Sequence, residues 1–312
     1  MSAPLKILSH FPRSRLTRLE ADVADIEIIE VDTEGDVAQG IEGEVLLTRP
    51  WGTPNMSELL RRGVRWVHTV GTGVDRFPMD EIGDRILTCS RGASATPISE
   101  WIVTMMLAYE KRLPEVWLSE PPEAWSVGGD LGSLDGRVLG LVGLGSIGLG
   151  VARRVEAFGM RTIACRRKNA PSPMPGIEIT SFEDVIERAD HLVIAAPATK
   201  ATKQLLDAEA FSRVKAGVHL VNIARGSLID HDALRAALDS GRIARASLDT
   251  VDPEPVPMGH WLYEHPSVRL SPHVSWSMPN VLDSFLGIFA DNVGRYRRGE
   301  ELHGVVDLVE GY

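Results

Sequence analysis

"GLVGLGSIG" spans Gly140–Gly148 and sets Gly143, Gly145 and Gly148 in G-x-G-x-x-G spacing. That spacing also arises by chance, so its flanks decide its meaning. Before it, "RVLGLVG" from Arg137 is a continuous apolar run, the pattern of a strand buried on both faces. After it, "SIGLGVARRVEAFG" puts Ile147, Val151 and Val155 on one helical stripe and stops at Gly159. A strand, a glycine turn and a helix in that order form a phosphate cradle. Gly143 permits the tight turn, Gly145 lets a pyrophosphate approach the backbone, and Gly148 lets the helix pack closely on the strand. The first helical N–H groups, at Ser146 and Ile147, then point at the anion. The alternative is a strand–helix turn with a purely structural role.

The same alternation continues on both sides. Downstream, "RTIAC" (161–165), "HLVIAA" (191–196), "VHLVNIA" (218–224), "RASLD" (245–249) and "VRLSP" (268–272) read as strands. With the first strand they predict a doubly wound sheet of about six strands. Between them, "SFEDVIERAD" opens with a capping box at Ser181 and Asp184, and "DHDALRAALDSG" runs from a cap at Asp230 to a stop at Gly241. Upstream, "LKILSH" (5–10), "IEIIEV" (26–31), "EVLLTR" (44–49), "RWVHTV" (65–70) and "ILTCS" (86–90) alternate with helical stretches such as "RSRLTRLEAD" and "MSELLRRG". Strands that alternate with helices imply parallel sheets with helical crossovers. "NVLDSFLGIFADNVGRYRRG" (280–299) reads as one amphipathic helix. The expectation is an α/β protein with two doubly wound parallel-sheet domains.

Bulk properties narrow the function. The 312 residues carry a net charge of -10, with 44% hydrophobic and 24% charged residues. That is a globular composition. It lacks the basic face that nucleic-acid binding needs, and no block of consecutive basic residues stands out beyond Arg166, Arg167 and Lys168. The most apolar run, "WIVTMMLAY" (101–109), is far shorter than the roughly 20 residues that cross a bilayer. No membrane association is expected. Cys89 and Cys165 have no metal-ligand spacing and make no disulfide framework, so no metal is expected. The opening residues hold no apolar stretch of signal-peptide length, and a cytoplasmic location is the expectation.

The strand after the glycine helix bears on which dinucleotide is bound. NAD sites usually place an acid at its end to hold the ribose hydroxyls. Here the strand runs into "RRKNAP", and no acid occurs between Met160 and Gly176. Arg166 stands where the acid is expected, with Arg167 and Lys168 behind it. A guanidinium suits a 2′-phosphate in charge and in forked geometry. NADP(H) is therefore the expected cofactor, with NAD(H) kept open. The alternative is an ordinary solvated basic loop.

Ligands of open α/β sheets bind beyond the carboxyl ends of the strands. Three chemically capable residues lie there: Arg225 in "NIARGSLID", Glu254 in "LDTVDPEP" and His273 in "SPHVSW". Each alone has a plainer explanation. Arg225 could cap a carbonyl, Glu254 could be a surface charge, and His273 could be a satisfied core histidine. Together, at the end of a dinucleotide domain, they point to hydride transfer to a carbonyl. An arginine holds a carboxylate, a histidine gives the proton, and a glutamate orients the histidine.

"GLVGLGSIG", "VNIARGSLIDHDALRAAL", "ASLDTVDPEPVP" and "SPHVSW" follow one another in the order of signatures that resembles the D-isomer-specific 2-hydroxyacid dehydrogenase family. The resemblance covers nearly the whole chain. It implies that Arg225 binds substrate, Glu254 partners the histidine and His273 is the acid/base. It implies a Rossmann cofactor domain, residues 95–280, inserted into a flavodoxin-like substrate domain, residues 1–94 and 281–312. "VGTGVDRF" resembles the family's substrate loop, which places Thr72, Gly73 and Val74 against the substrate carboxylate. "PISEWIVTMMLAYEKRL" resembles the long helix of the family's dimer interface, so a homodimer is implied. Pro197, Thr199 and Thr202 in "AAPATKAT", with Ile223 and Ala224, would line the cofactor, and Asp249 would lie near the nicotinamide.

Two positions depart from the family's pattern. Arg166 replaces the usual acid, and Trp276 stands where many members have a small residue. Trp276 and Trp51 could narrow the substrate pocket, although a tryptophan is more often plain packing. The expected activity is NADPH-dependent reduction of a small 2-oxo acid such as glyoxylate or hydroxypyruvate. The enzymatic alternative is an NAD-linked dehydrogenase of another 2-hydroxy acid, such as phosphoglycerate. The non-enzymatic alternative is a dinucleotide-sensing, corepressor-like interaction protein.

Overall fold

The structure is a computed structural model that describes residues 3–122, 125, 129–167 and 170–312. The chain divides into two compact units, Met1–Ser94 with Met278–Tyr312, and Ala95–Ser277. The return to the first unit falls at Met278, a few residues before the 281 expected from sequence. The segment through Ser275 is fastened by Asp249, which takes the N–H groups of Val274 and Ser275 and so keeps this stretch with the second unit.

In the first unit, strands β1 (Leu5–Ser9), β2 (Ile26–Glu30), β3 (Val45–Thr48), β4 (Trp66–Thr69) and β5 (Ile86–Cys89) form a parallel sheet in the order β2-β1-β3-β4-β5. This is the flavodoxin-like order. Alternation along the strands supplies two apolar layers. Leu8, Leu46, Val67 and Leu87 pack with helix α2 (Met56–Leu60). Ile7, Val45, Leu47 and Trp66 pack with α1 (Thr17–Asp22) and with Leu286, Phe289 and Val293 of α8 (Val281–Arg298).

The second unit begins with α3 (Ala95–Glu110) and builds a sheet of seven parallel strands. They are β6 (Val138–Val142), β7 (Arg161–Cys165), β8 (Ile177–Ile179), β9 (His191–Ile194), β10 (Val218–Asn222), β11 (Ile243–Leu248) and β12 (Val268–Leu270). Their order is β12-β11-β10-β9-β6-β7-β8, a Rossmann arrangement extended by one strand. The strand beyond the six of that order is β12, and the one not expected from the sequence is β8, whose three residues are too few to show a period. Leu139, Leu141, Val193 and Val221 face α3 and α4 (Ser146–Glu156). Val142, Leu192, Ile194 and Leu220 face α5 (Phe182–Arg188), α6 (Ala208–Arg213) and α7 (His231–Asp239). The caps fall where the sequence puts them. Ser181 accepts from the Asp184 N–H, and Asp230 accepts from the N–H groups of Asp232 and Ala233. Among the described residues no helix is long and apolar enough to cross a membrane, and no cluster of side chains could hold a metal ion.

Candidate active site

The glycine turn leaves β6 and enters α4, and each glycine has its own reason. Gly143 has φ +100°, and a Cβ there would lie 2.8 Å from the backbone of Ala195. A Cβ on Gly148 would lie 2.8 Å from the Gly143 carbonyl oxygen, so no side chain fits between turn and helix. Gly145 is exposed and has nothing within 4 Å of a Cβ position. Open space at Gly145 is what an approaching pyrophosphate requires, and a side chain would fill it. No side chain caps α4, so the first N–H groups of this helix, including those of Ser146 and Ile147, remain available to an anion. The residues present therefore fit a dinucleotide.

Arg166 stands directly beside this turn, because Cys165 pairs with Val142 and accepts the Gly143 N–H at 3.0 Å. Its guanidinium donates to the Pro171 carbonyl at 3.3 Å. Arg167 is exposed, and Lys168 lies outside the described residues. Burial pushes the Cys165 thiol up to about 11, so it offers no nucleophile beside the turn. On the other side of the cradle, the turn after β9 is closed by Thr202. Its hydroxyl donates to the Pro197 carbonyl at 2.7 Å and accepts the Thr199 N–H at 2.8 Å. Ile223 is buried in the α3–α4 layer, and Ala224 packs on the opposite layer.

The three strand-end residues come from adjacent strands. β10, β11 and β12 are neighbours, with Asn222 level with Leu248 and Leu248 level with Leu270. Arg225 follows β10 in extended backbone, and one guanidinium N–H donates to the Ala224 carbonyl at 2.7 Å. Asn222 shapes this loop, a role not read from the sequence. Its amide nitrogen donates to the carbonyls of Arg225 (3.0 Å) and Thr250 (3.2 Å), and its oxygen takes the Ala224 N–H at 3.1 Å. The last bond is an Asx turn, which the motif "NIA" would have signalled. Gly226 admits no side chain, since a Cβ would fall 1.9 Å from the Val251 backbone.

Glu254 and His273 meet. Glu254 Oε1 accepts the Val251 N–H at 3.1 Å, and its Oε2 lies 3.0 Å from His273 Nδ1. With Nδ1–H donating to the carboxylate, Nε2 is the outward nitrogen and has no partner among the described residues. The two side chains are 38% and 25% exposed, so the pair is open to a small molecule. Asp249 is differently placed from an ordinary ligand-facing acid. It is 1% exposed, and its carboxylate accepts Ser271 Oγ (2.6 Å), the Val274 N–H (2.9 Å) and the Ser275 N–H (3.0 Å). Trp276 is 39% exposed and donates its indole N–H to the His273 carbonyl at 2.8 Å.

Two groups of sequence-predicted residues belong to the first unit. Thr72 Oγ1 lies 3.4 Å from the Ser90 carbonyl and from Ser94 Oγ, Gly73 is partly exposed, and the Val74 side chain is buried. No acceptor takes the N–H of Thr72, Gly73 or Val74 among the described residues, so this turn presents donors suited to an anion. Trp51 follows β3 and is 63% exposed.

Comparison with known proteins gives the family. Residues 103–275 match the family model "D-isomer specific 2-hydroxyacid dehydrogenase, NAD binding domain". A D-3-phosphoglycerate dehydrogenase of Bacillus subtilis is 32% identical over 78% of this chain and 47% of its own length. A glyoxylate reductase of Thermofilum pendens is 30% identical over 75% of this chain and 72% of its own. The chain thus spans about half the length of the phosphoglycerate dehydrogenase it matches. In fold, it superposes with a TM-score of 0.83 on a D-isomer specific 2-hydroxyacid dehydrogenase from Xanthobacter autotrophicus Py2, in complex with NADPH and MES, at 22% identity over the whole of both chains. Matched over more than half its length by the family model, with a Gly-x-Gly-x-x-Gly cradle and an Arg–Glu–His set at adjacent strand ends, the chain belongs to the D-isomer specific 2-hydroxyacid dehydrogenase family.

Proposed function

We propose that this protein reduces a small 2-oxo acid, of the glyoxylate or hydroxypyruvate kind, with NADPH. The observation that carries the reading is the His273–Glu254 contact at 3.0 Å, which leaves Nε2 for a ligand and joins the segments after β12 and β11, with β11 beside the strand that delivers Arg225. When bound, the reduced nicotinamide supplies the hydride. Arg225 grips the substrate carboxylate with its planar fork and polarises the neighbouring carbonyl. Protonated His273 holds its Nε2–H toward the carbonyl oxygen and releases that proton as the oxygen becomes a hydroxyl. Glu254 keeps Nδ1–H engaged, so the ring cannot turn away or present the wrong nitrogen.

The NADPH preference rests on Arg166, which is level with the glycine turn, in a stretch of sequence from Met160 to Gly176 that holds no acid. Structures of the same fold that were solved with NADPH, or with NADP as in a probable 2-hydroxyacid dehydrogenase of Rhizobium etli, favour the same choice. We also propose a homodimer. The segment after α3 exposes Val116, Trp117, Leu118 and Leu131, an apolar series that a second copy would cover. Both cysteines are free thiols, which suits a reducing cytoplasm.

The test is turnover with NADPH and NADH on glyoxylate, hydroxypyruvate and phosphohydroxypyruvate. NADPH-linked reduction of the first two supports the reading. Turnover confined to the phosphorylated acid with NADH would favour a phosphoglycerate dehydrogenase, in line with the 32% identical relative. No turnover of any 2-oxo acid, with the dinucleotide still bound, would favour a dinucleotide-sensing protein.

A further inference from the structure

His273 has φ +53°, a left-handed backbone that a residue with a side chain seldom takes. Such a conformation persists only where its surroundings fix it. Two sets of bonds do so here, and neither uses the imidazole ring. On the N-terminal side, the His273 N–H reaches the carbonyls of Asp249 (2.9 Å) and Ser271 (3.0 Å). The buried Asp249 carboxylate anchors the residues on either side through Ser271 Oγ and the N–H groups of Val274 and Ser275. On the C-terminal side, the indole N–H of Trp276 donates to the His273 carbonyl at 2.8 Å. The peptide units before and after His273 are thus both held, and with them the direction in which Nε2 points.

We propose that Trp276 is a positioning residue that acts through the backbone of His273, with Asp249 as its fixed counterpart. The inference rests on the acid/base reading of His273. It assigns Trp276 a different part from lining a substrate pocket, because the indole edge that carries the N–H is spent on the main chain. A small residue at this position would leave the His273 carbonyl without that donor and the left-handed turn held from one side.

The experiment is Trp276→Phe, which keeps an aromatic ring and removes the donor. Losing one net hydrogen bond predicts a kcat lower by about three- to tenfold. KM for glyoxylate and for hydroxypyruvate should be unchanged, and the loss should be equal for both. In a His273→Ala background, Trp276→Phe should cost nothing further, because a residue that acts through His273 has nothing left to act on. Asp249→Asn, with folding checked by circular dichroism and NADPH binding by fluorescence, should lower kcat in the same way. A Trp276→Phe enzyme with normal kcat, or one whose KM changes with substrate size, overturns the inference. So does a further loss in the His273→Ala background. If His273→Ala itself turns over normally, the acid/base reading fails instead, and the two failures are told apart.

Discussion

Among its described residues the second unit contains two histidine–glutamate contacts of equal length. At the rim, His273 Nδ1 lies 3.0 Å from Glu254 Oε2, and inside the sheet His191 Nε2 lies 3.0 Å from Glu110 Oε1. Distance therefore does not separate the pair proposed as catalytic from the structural one. Exposure does, at 38% and 25% for the rim side chains against 0% and 4% for the interior ones. The second difference is what each remaining nitrogen meets. His273 Nε2 has no partner among the described residues, whereas His191 Nδ1 meets His219 Nδ1 at 3.0 Å, and His219 Nε2 meets Ser247 Oγ at 2.9 Å. One assignment satisfies the interior row with every ring neutral. Ser247 O–H donates to His219, His219 N–H to His191, and His191 N–H to the Glu110 carboxylate. Such a row has no proton to give to a substrate. Tyr109, stacked on His219 at 4.7 Å, closes it from one side.

The largest effect that could break this contrast is the loss of the rim histidine. His273→Ala should lower turnover by roughly 10²–10⁴-fold, the usual worth of general acid catalysis. NADPH binding and the thermal midpoint should change little, since the side chain is 38% exposed and its bond to Glu254 is at the surface of the unit. Steady-state kinetics with fluorescence titration checks both halves. Near-normal turnover would reduce the rim pair to the status of the interior one.

Glu254→Gln comes next. It keeps the size and removes the charge that engages Nδ1–H. A hydrogen bond to a charged group is worth about 1.5–3 kcal/mol, so kcat/KM for reduction should fall roughly 10–100-fold. The fall should appear mainly in kcat. An enzyme whose KM alone rises would place Glu254 against the substrate instead of behind the histidine.

For the interior pair the expectation reverses. Glu110→Ala leaves a buried imidazole N–H without its acceptor, and such a group costs about 1–3 kcal/mol of stability. Urea unfolding should show that loss while kcat stays within about twofold, well below the rim effects. A variant of normal stability with impaired chemistry would mean that the interior row communicates with the site.

The rim was legible in the sequence and the interior was not, for a physical reason. The residues proposed to meet ligands sit in short, local motifs: three glycines in one turn, and Arg225, Glu254 and His273 each just beyond an apolar run. Their meeting follows from strand order, which the alternating pattern already implies. The interior row joins Glu110, His191, His219 and Ser247 from one helix and three strands, and only the registers His219–His191 and Val221–Ser247 bring them together. No spacing encodes that. Strand β8 was missed because Ile177–Ile179 is too short to show a period. The left-handed backbone of His273 was hidden because Asn, Asp or Gly, the usual markers of that conformation, are absent from "SPHVSW". Asp249 could be placed near the nicotinamide by resemblance, but its three hydrogen bonds into the 271–275 segment depend on how that segment folds back over β11.

The smallest expected effect concerns acid. Burial holds His219 well below the ordinary histidine range, with the neighbouring His191 and Arg245 acting in the same direction. In the first unit, burial likewise holds His68 down at about 3, and burial with the nearby Arg49 charge holds His10 at about 4. For each, the native protein stays neutral while the unfolded chain takes up a proton below its ordinary value near pH 6.5. The unfolded state then binds more protons, so stability is complete above about pH 6.5 and is lost as pH falls below it. Each such histidine removes about 1.4 kcal/mol per pH unit within its window. His219→Gln keeps a polar side chain and no titrating group. Between pH 6.5 and 5.5, the variant should therefore lose about 1 kcal/mol less than the wild type, whatever its stability at neutral pH. Urea midpoints at both pH values, read by circular dichroism, measure the difference. Equal losses in wild type and variant would mean that His219 takes up its proton in the folded sheet, and that the interior row is not the all-neutral chain that sets it apart from the rim.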